Sequence, residues 1–450
     1  MALTGLDIYK HLPKTNCKEC GVATCLAFAM KVAGGQAGLD QCPRLDDKAR
    51  EALSDASAPP QQLVTIGAGD KAIQVGQETV LYRHEEKFHH PTVLAICLND
   101  NLAQDALVER CREIAALKFE RLGATLQVDA VALYNVSEDA RTFTDAAKTV
   151  SRASGKVVVL VSPHAGNLRA AGEALKSERP LLWAMKAGAD GVRENDAIAV
   201  AKDLGLPLCL EAPGYDALVE VAEAARSEGL RELMLSPGQV EARAGLEFLT
   251  QSRRAAIGKK FRPMGFPIAM PVLDDDAPQS IVKACWYVLR YAGLVVVGAS
   301  NPEEILGILT TRQDIYTDPQ IPVQVQPGLH VVGDPGEDAP VLVTTNFALS
   351  YYSVESEVEA SRVPSYIVSV DTEGTSVLTA WAADKLNAET IAKALKDSDV
   401  ESKVRHKKLV LPGHVAVLSA STSDESGWEA FVGPKEASGL VSYLKTQWKA

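Results

Sequence analysis

The run Val157-Val158-Val159-Leu160-Val161 is unbroken apolar sequence, followed by a loop and then by a longer segment with apolar residues at helical spacing. A strand with one face in water alternates apolar and polar side chains, whereas a strand covered on both faces does not need to. The run therefore belongs in a parallel sheet with helices on its faces. The same unit recurs on either side of it. Apolar runs fall at residues 92–97, 129–133, 157–161, 181–184, 207–211, 232–235, 267–272 and 294–297, with helical patterns such as 102–122, 195–204, 216–229 and 279–291 between them. Eight such units across 92–322 predict an α/β fold with a (β/α)8 TIM barrel; the other arrangement the pattern allows is an open doubly wound sheet.

Barrel chemistry sits at the carboxyl ends of strands. Here those ends offer Asn99, Asn135, His164, Lys186, Glu211 and Asp274-Asp275-Asp276. They form no nucleophile and base pair, no paired carboxylates and no metal-ligand spacing, and the three aspartates read as a solvated loop or helix start. The barrel is expected to act mainly as a scaffold or docking surface.

At 450 residues the chain exceeds what one hydrophobic core organises, so two or three domains are expected. Acidic residues outnumber basic ones by 58 to 46, and a net charge of −12 argues against an extended phosphate-binding face, hence against nucleic acid as a partner. No stretch is apolar for long enough to span a bilayer, so no membrane partner is expected. The first residues show neither the basic start nor the apolar core of a secretory signal, and a cytoplasmic protein is the expectation.

Four of the eight cysteines crowd into Cys17-Lys-Glu-Cys20-Gly-Val-Ala-Thr-Cys25 and a later Cys42-Pro43. Thiolates are soft ligands that suit iron-sulfur clusters or zinc. Structural zinc usually takes two separated Cys-x2-Cys knuckles, while three close cysteines with a remote Cys-Pro are nearer to ferredoxin ligation. The spacing favours one [4Fe-4S] cluster over zinc, in a domain of residues 1–57. A short apolar helix over 23–32 would cover it and stop at Gly34-Gly35. Residues 54–62, rich in Ser, Ala and Pro, read as a linker, with 58–91 leading into the barrel. Cys97, Cys111, Cys209 and Cys285 stand alone in apolar or helical patterns and read as core residues.

After residue 322 a smaller Rossmann-like α/β domain is expected over 323–450, with strands at 340–344, 365–370, 408–411 and 414–419 and helices near 355, 378–395 and 435–448. Open α/β sheets bind ligands beyond the carboxyl ends of their strands. Three loops qualify: Thr344-Thr345-Asn346-Phe347-Ala348-Leu349-Ser350-Tyr351, Asp371-Thr372-Glu373-Gly374-Thr375-Ser376, and Gly433-Pro434. Their hydroxyls, glycines and following helix starts suit amide and phosphate groups, although Thr372 and Ser376 serve equally well as helix caps. Glycine fingerprints for dinucleotides or ATP are absent.

The order of parts resembles a known family. The start Leu12-Pro-Lys-x-Asn-Cys17-x2-Cys20-Gly-x3-Cys25-Leu-Ala-Phe-Ala, an eightfold β/α middle and a small α/β end are similar to the large subunits of corrinoid iron-sulfur proteins of the acetyl-CoA synthase/CO dehydrogenase pathway. The likeness runs along essentially the whole chain and is strongest from Leu12 to Cys42. It implies a methyl carrier: a corrinoid cobalt, as Co(I), takes a methyl group from methyltetrahydrofolate on a partner methyltransferase and delivers it to the nickel site of acetyl-CoA synthase. By the same resemblance, the cluster on Cys17, Cys20, Cys25 and Cys42 returns an electron to Co(II), and the corrinoid lies against Thr344, Asn346, Ser350, Tyr351, Thr372, Glu373, Gly374, Thr375, Ser376, Gly433 and Pro434. Implied partners are a small subunit completing a heterodimer, the methyltransferase, acetyl-CoA synthase/CO dehydrogenase and a reductive activator.

Many corrinoid domains carry Asp-x-His-x-x-Gly, whose histidine binds the lower cobalt face. None of the eight histidines here sits in that pattern, and His330-Val-Val-Gly333 lacks the aspartate. A base-off corrinoid with no protein axial ligand is expected, with Thr372 or Thr375 below the metal by resemblance. The competing reading is a barrel methyltransferase with an accessory iron-sulfur domain, against which stands the missing catalytic set; a plain electron-transfer subunit would leave the carboxyl-terminal domain unexplained.

Overall fold

A computed structural model describes residues 5–33, 37–46, 59–186, 194–274 and 276–448. The chain gathers into two compact units, one of Met1–Leu81, His89–Ala116 and Val128–Ile308, the other of Tyr82–Phe88, Leu117–Gln127 and Leu309–Ala450.

The first unit begins with helices α1 (Gly5–His11) and α2 (Cys25–Ala33). Ile8, Leu12, Phe28, Ala29 and Leu45 form a small core in which Cys25 and Cys42 are also buried. The linker residues 54–58 and the glycines at 34 and 35 lie outside the described residues. An antiparallel hairpin follows, β1 (Leu63–Ile66) with β2 (Ile73–Gly76).

Then come the barrel strands: β3 (Val93–Asn99), and, after the separate hairpin β4 (Lys118–Arg121) and β5 (Ala124–Gln127), β6 (Ala130–Tyr134), β7 (Val157–Ser162), β8 (Leu181–Ala184), β9 (Leu208–Glu211), β10 (Leu233–Ser236), β11 (Ala269–Val272) and β12 (Leu294–Val297). Eight parallel strands run in the order β10-β9-β8-β7-β6-β3-β12-β11. The ring closes where Leu235 bridges Ile268 and its N–H donates to the Pro267 carbonyl at 3.0 Å. All eight apolar runs of the sequence are barrel strands, which selects the barrel over the open sheet.

Alternate residues of these strands meet inside. Ala95, Ala132, Val159, Trp183, Cys209, Met234, Ala269 and Val296 pack there at essentially zero exposure. Val64, Ile66 and Val75 of the leading hairpin join the same core, with Gly67 against Val157 at the start of β7. The hairpin thus plugs the amino-terminal end of the barrel. Gly76 makes the plug's fit possible: its φ is +92°, and a Cβ there would stand 2.3 Å from the Gln62 carbonyl and 2.7 Å from Pro267.

Two features of this unit and its neighbour depart from the sequence pattern. The lead-in holds a hairpin of four-residue strands, too short for periodicity to mark. The helix expected over 102–122 ends at Ala116, and the β4–β5 hairpin takes over at a turn where Leu122 and Gly123 both have positive φ, the primed-turn geometry that Asn-Gly more commonly signals. Of the isolated cysteines, Cys111 and Cys209 are fully buried, while Cys97 and Cys285 are half-buried.

The second unit centres on β13 (Gly328–Val332), β14 (Val341–Thr345), β15 (Ser365–Val370), β16 (Lys408–Leu411) and β17 (Glu429–Val432) in the order β13-β15-β14-β16-β17. The last four are parallel, and β13 is an antiparallel edge. Residues 414–419, expected as a strand, instead fall in the 3-10 turn Gly413–Leu418 and, at Ser419, the start of the helix Ser419–Ser426, and the fourth parallel strand is β17. A short apolar run does not by itself distinguish a strand from a buried turn, and Pro412-Gly413 ends β16 just before it. The helix expected over 378–395 is two, Val377–Ala382 and Ala388–Asp397, the second opened by a capping box between Asn387 and Thr390.

If the hairpin plug is part of the barrel core, Ile66→Ala should lower the unfolding free energy by about 3 kcal/mol, as for deletion of a fully buried aliphatic side chain. Urea denaturation of the two proteins measures this, and a loss below about 1 kcal/mol would show that the lumen is sealed without it.

Candidate functional site

The amino-terminal cysteines sit on a tightly curved loop. Lys14, Asn16, Lys18 and Gly21 have φ of +57°, +49°, +65° and +75°. Three of these are non-glycine residues in the left-handed region, which costs free energy and occurs often where backbone is shaped around a site. The curve is fastened at both ends. The Cys25 N–H donates to Asn16 Oδ1 at 2.8 Å, and Thr24 Oγ1 caps α2 by accepting from the Ala27 N–H at 3.1 Å. Across the loop, the Arg44 Nε–H donates to both carboxylate oxygens of Glu19 at 3.1 Å. That ion pair joins the Cys17–Cys20 turn to the segment following Cys42, and it lowers the Glu19 pKa chiefly through the Arg44 hydrogen bond.

Cys20 packs beside Cys25 and Cys42 on the small core, and the Arg44 charge is within electrostatic range of Cys17. Among the described residues no three His, Cys, Asp or Glu side chains lie close enough to hold a single metal ion. The four thiols come from one loop, one helix start and one Cys-Pro turn, a set of soft donors of the kind that suits iron-sulfur clusters or zinc.

In the second unit the parallel strands, counted along the chain, lie in the order 2-1-3-4, so the winding reverses between β14 and β16. Such a switch point leaves a crevice at the carboxyl ends of the strands. A cavity of about 380 Å³ lies there, walled by Thr344, Leu349, Ser350, Val354, Ser376, Val377, Leu378, Pro412, His414, Gly433, Pro434 and Lys435 among others. It draws on the loops after all four parallel strands. Gly413 and Gly433 let two of them touch: a Cβ on Gly413 would lie 2.5 Å from the Gly433 carbonyl, one on Gly433 2.8 Å from Val410, and the Gly413 N–H donates to Pro434 O at 3.0 Å. Leu349, Leu378, Trp381 and Val417, on elements that wall the cavity, are all more than two-fifths exposed, an apolar rim that the described residues leave open.

Beside the cavity, Asn346 organises the loop after β15. It is fully buried, and its Oδ1 accepts from the Thr372 N–H at 2.9 Å, the Thr372 hydroxyl at 3.1 Å and the Gly374 N–H at 3.1 Å. Its Nδ2 donates to Gln324 Oε1 and Asp371 Oδ1. The Thr375 hydroxyl donates to the Thr372 carbonyl at 2.7 Å. Thr372 is closed in at 1% exposure, whereas Thr375 is half-buried, so Thr375 is the threonine of this loop that a ligand can reach.

Thr344, Ser350, Ser376, Gly433 and Pro434 are thus brought to one cavity wall. Asn346, Thr372, Glu373, Gly374 and Thr375 form the adjoining turn, in which Glu373 pairs with Lys385 at 2.6 Å. Tyr351 points elsewhere: it is buried in the core, its ring tilted against His330 with centroids 4.5 Å apart, and its hydroxyl donates to Glu355. Missed from the sequence were the apolar walls and His414, which stands 3.6 Å from Glu436. His414 lies in a loop at a strand's carboxyl end, a signal hidden by reading 414–419 as a strand.

At the barrel mouth, Asn135 Nδ2 donates to Asp100 at 2.8 Å and Asn135 Oδ1 accepts from Ser162 and Asn167, a closed buried network rather than a set of free groups. Asp276 caps the helix Ala277–Leu289, and Asp274 pairs with Lys283 at 2.9 Å; Asp275 lies outside the described residues. Glu211 is the unusual group. It reaches into the mouth, accepts from Trp183 Nε1–H at 3.2 Å, and burial pushes its pKa from 4.5 up to about 6.

A carboxyl whose pKa is raised by folding destabilises the fold once it ionises. Its penalty is absent below the ordinary value and complete above about 6, amounting to about 2 kcal/mol at most. Glu211→Gln should accordingly unfold at a higher temperature than the parent at pH 7.5, with the gap closing by pH 4.5. Calorimetric melting at the two pH values checks this, and a pH-independent gap would show that Glu211 does not titrate in this window.

Comparison with known proteins agrees with both regions. A family model described as CO dehydrogenase/acetyl-CoA synthase delta subunit matches residues 63–444, and one described as a putative Fe-S cluster matches residues 12–44. The corrinoid/iron-sulfur protein large subunit of Moorella thermoacetica is 42% identical over 445 residues, covering 99% of each chain. The acetyl-CoA decarbonylase/synthase complex subunits gamma of Methanothermobacter thermautotrophicus and Methanopyrus kandleri are 35% and 32% identical, each match covering 99% of this chain and 99% and 98% of those proteins. With the cysteine loop, the closed barrel and the switch-point cavity in one chain matched from end to end, the chain belongs to the large-subunit family of corrinoid/iron-sulfur proteins of the CO dehydrogenase/acetyl-CoA synthase system.

Proposed function

We propose that the chain is a methyl carrier that holds a corrinoid at the β14/β16 switch point and one [4Fe-4S] cluster on Cys17, Cys20, Cys25 and Cys42. The observation that carries this reading is the cavity at the reversal of winding, rimmed by exposed apolar side chains, on a chain that also bears a four-thiol loop. When bound, the corrinoid supplies a cobalt that accepts and releases a methyl group, and the cluster supplies the electron that restores the cobalt's reactive oxidation state.

The residues divide the work. Thr344, Ser350 and Ser376 offer hydroxyls, and the Gly433-Pro434 turn offers backbone, to a ligand edge rich in amides. Leu349, Val354 and Leu378 cover apolar ring surface and exclude water. Asn346 fixes the turn that presents Thr375, whose hydroxyl would face a ligand held beside that turn. The histidine on the cavity wall, His414, stands 3.6 Å from Glu436, and no histidine of the chain lies in Asp-x-His-x-x-Gly, so the chain would hold a corrinoid in the base-off form. At the other end of the chain, the Glu19–Arg44 pair keeps the remote Cys42 in register with Cys17 and Cys20. The uncovered rim suits a second subunit, and the methyl donor and acceptor proteins are those of the family: a methyltetrahydrofolate methyltransferase and acetyl-CoA synthase.

The purified protein should contain cobalt and about four irons per chain. Cys20→Ser is expected to transfer methyl groups normally from preformed Co(I) but to lose the reductive rescue of Co(II); equal loss of both activities would remove the assignment of the cluster as reactivator. Separately, electron paramagnetic resonance of the Co(II) protein should show no nitrogen hyperfine splitting. Splitting that vanishes in His414→Gln would instead make His414 an axial ligand.

A further inference from the structure

Between Glu247 and Asp274 the sequence holds five basic residues and no acidic one, in a chain of net charge −12. The middle of this stretch, Arg254–Gly258, is a π-helical turn that closes the helix Ala242–Arg253, with the Lys259 N–H donating to Arg254 O at 3.0 Å and the Phe261 N–H to Ala255 O at 2.9 Å. Such wide turns are rare and recur at functional sites.

Lys260 apart, the bases have two fates. Arg253 turns inward, its guanidinium 4.2 Å from the Tyr291 ring centre and donating to Val80 O at 2.7 Å, and Arg262 donates to Pro59 O at 2.8 Å. These contacts pin both flanks of the turn. Arg254 and Lys259 point outward, are exposed, and meet no carboxylate among the described residues. Between them lies a recess of about 700 Å³ lined by Tyr215, Gln251, Arg254, Ala255, Lys259 and Phe261. Phe261 is 39% exposed, while the Tyr215 ring is fixed edge-on against Phe248 at 6.4 Å.

We propose that this recess binds a monomeric nucleoside phosphate. Arg254 and Lys259 supply the cations a phosphate ester recognises, Tyr215 and Phe261 supply faces for a planar base, and Gln251 supplies an amide that can both donate and accept. The volume is in the range of small-molecule sites. A nucleic-acid strand fits less well, because the recess offers two cations rather than an extended basic track and the chain carries a net charge of −12. A bound anion also meets an opposing charge, Asp216, next to Tyr215. Because both flanks are already pinned, binding orders little new backbone. The site lies in the barrel unit and does not depend on the corrinoid or cluster assignments.

The test is calorimetric titration of the full-length protein with ADP, inorganic phosphate and adenosine at low salt. One saturable ADP site is expected, tighter than phosphate. Arg254→Gln with Lys259→Gln should weaken ADP at least tenfold, and Phe261→Ala should weaken ADP while leaving phosphate unchanged. All three positions are exposed, so melting temperature and methyl transfer should stay at parent values and separate loss of binding from loss of fold. Absence of saturable ADP binding, or ADP binding indifferent to the paired substitution, overturns the proposal. Equal affinity for ADP and phosphate with no effect of Phe261→Ala would reduce the recess to an adventitious anion site and overturn it as well.

Discussion

Eight strands send apolar side chains to a common axis, and the packing of that axis governs what the rest of the chain can do. Trp183, Met234 and Val296 fill the lumen, and the β1–β2 hairpin closes one end with Val64, Ile66 and Val75. Interiors packed this way contain few voids large enough for a reactant. At the mouth the polar groups satisfy one another, as the Asp100, Asn135, Ser162 and Asn167 network does. A barrel that is solid inside has the build of a frame, with Glu211 the one buried carboxyl with a raised pKa among the described residues of its mouth.

One further part of the chain is the five-stranded sheet. There a crevice follows from topology before any side chain is considered, since reversing the winding between β14 and β16 splays the following helices apart. Side chains then give that crevice its character. Gly413 and Gly433 let two loops close against each other, Asn346 anchors a third, and Leu349, Leu378 and Trp381 leave apolar surface uncovered. Uncovered apolar surface around a cavity is costly in water and fits a large ligand or a second subunit.

The other part is too small to be held by its core alone. Ile8, Leu12, Phe28 and Leu45 bury little area, and a domain of this size normally needs a metal or other cross-link. Its backbone carries strain at Lys14, Asn16 and Lys18, compensated by the Asn16 bond to Cys25 and by the Glu19–Arg44 pair. Binding of a cluster by thiols held in that way would be coupled to the folding of the domain.

The sequence alone determined the elements whose signal is local. Unbroken apolar runs marked every barrel strand, because a strand covered on both faces needs no polar residue. Cysteine spacing marked the cluster loop, because few other chemistries use thiols that way. Hydroxyl and glycine clusters after strands marked Thr344, Ser350, Ser376, Gly433 and Pro434. What depends on contacts between distant residues was decided only by the tertiary structure. Strand order placed the switch point, which periodicity does not encode. Burial decided that Tyr351 packs into the core while Thr375 stays accessible, although both lie in hydroxyl-rich loops. The plug and the 3-10 turn carrying His414 escaped for the same reason: their apolar runs are short, and a short apolar run takes its conformation from whatever surface it packs against.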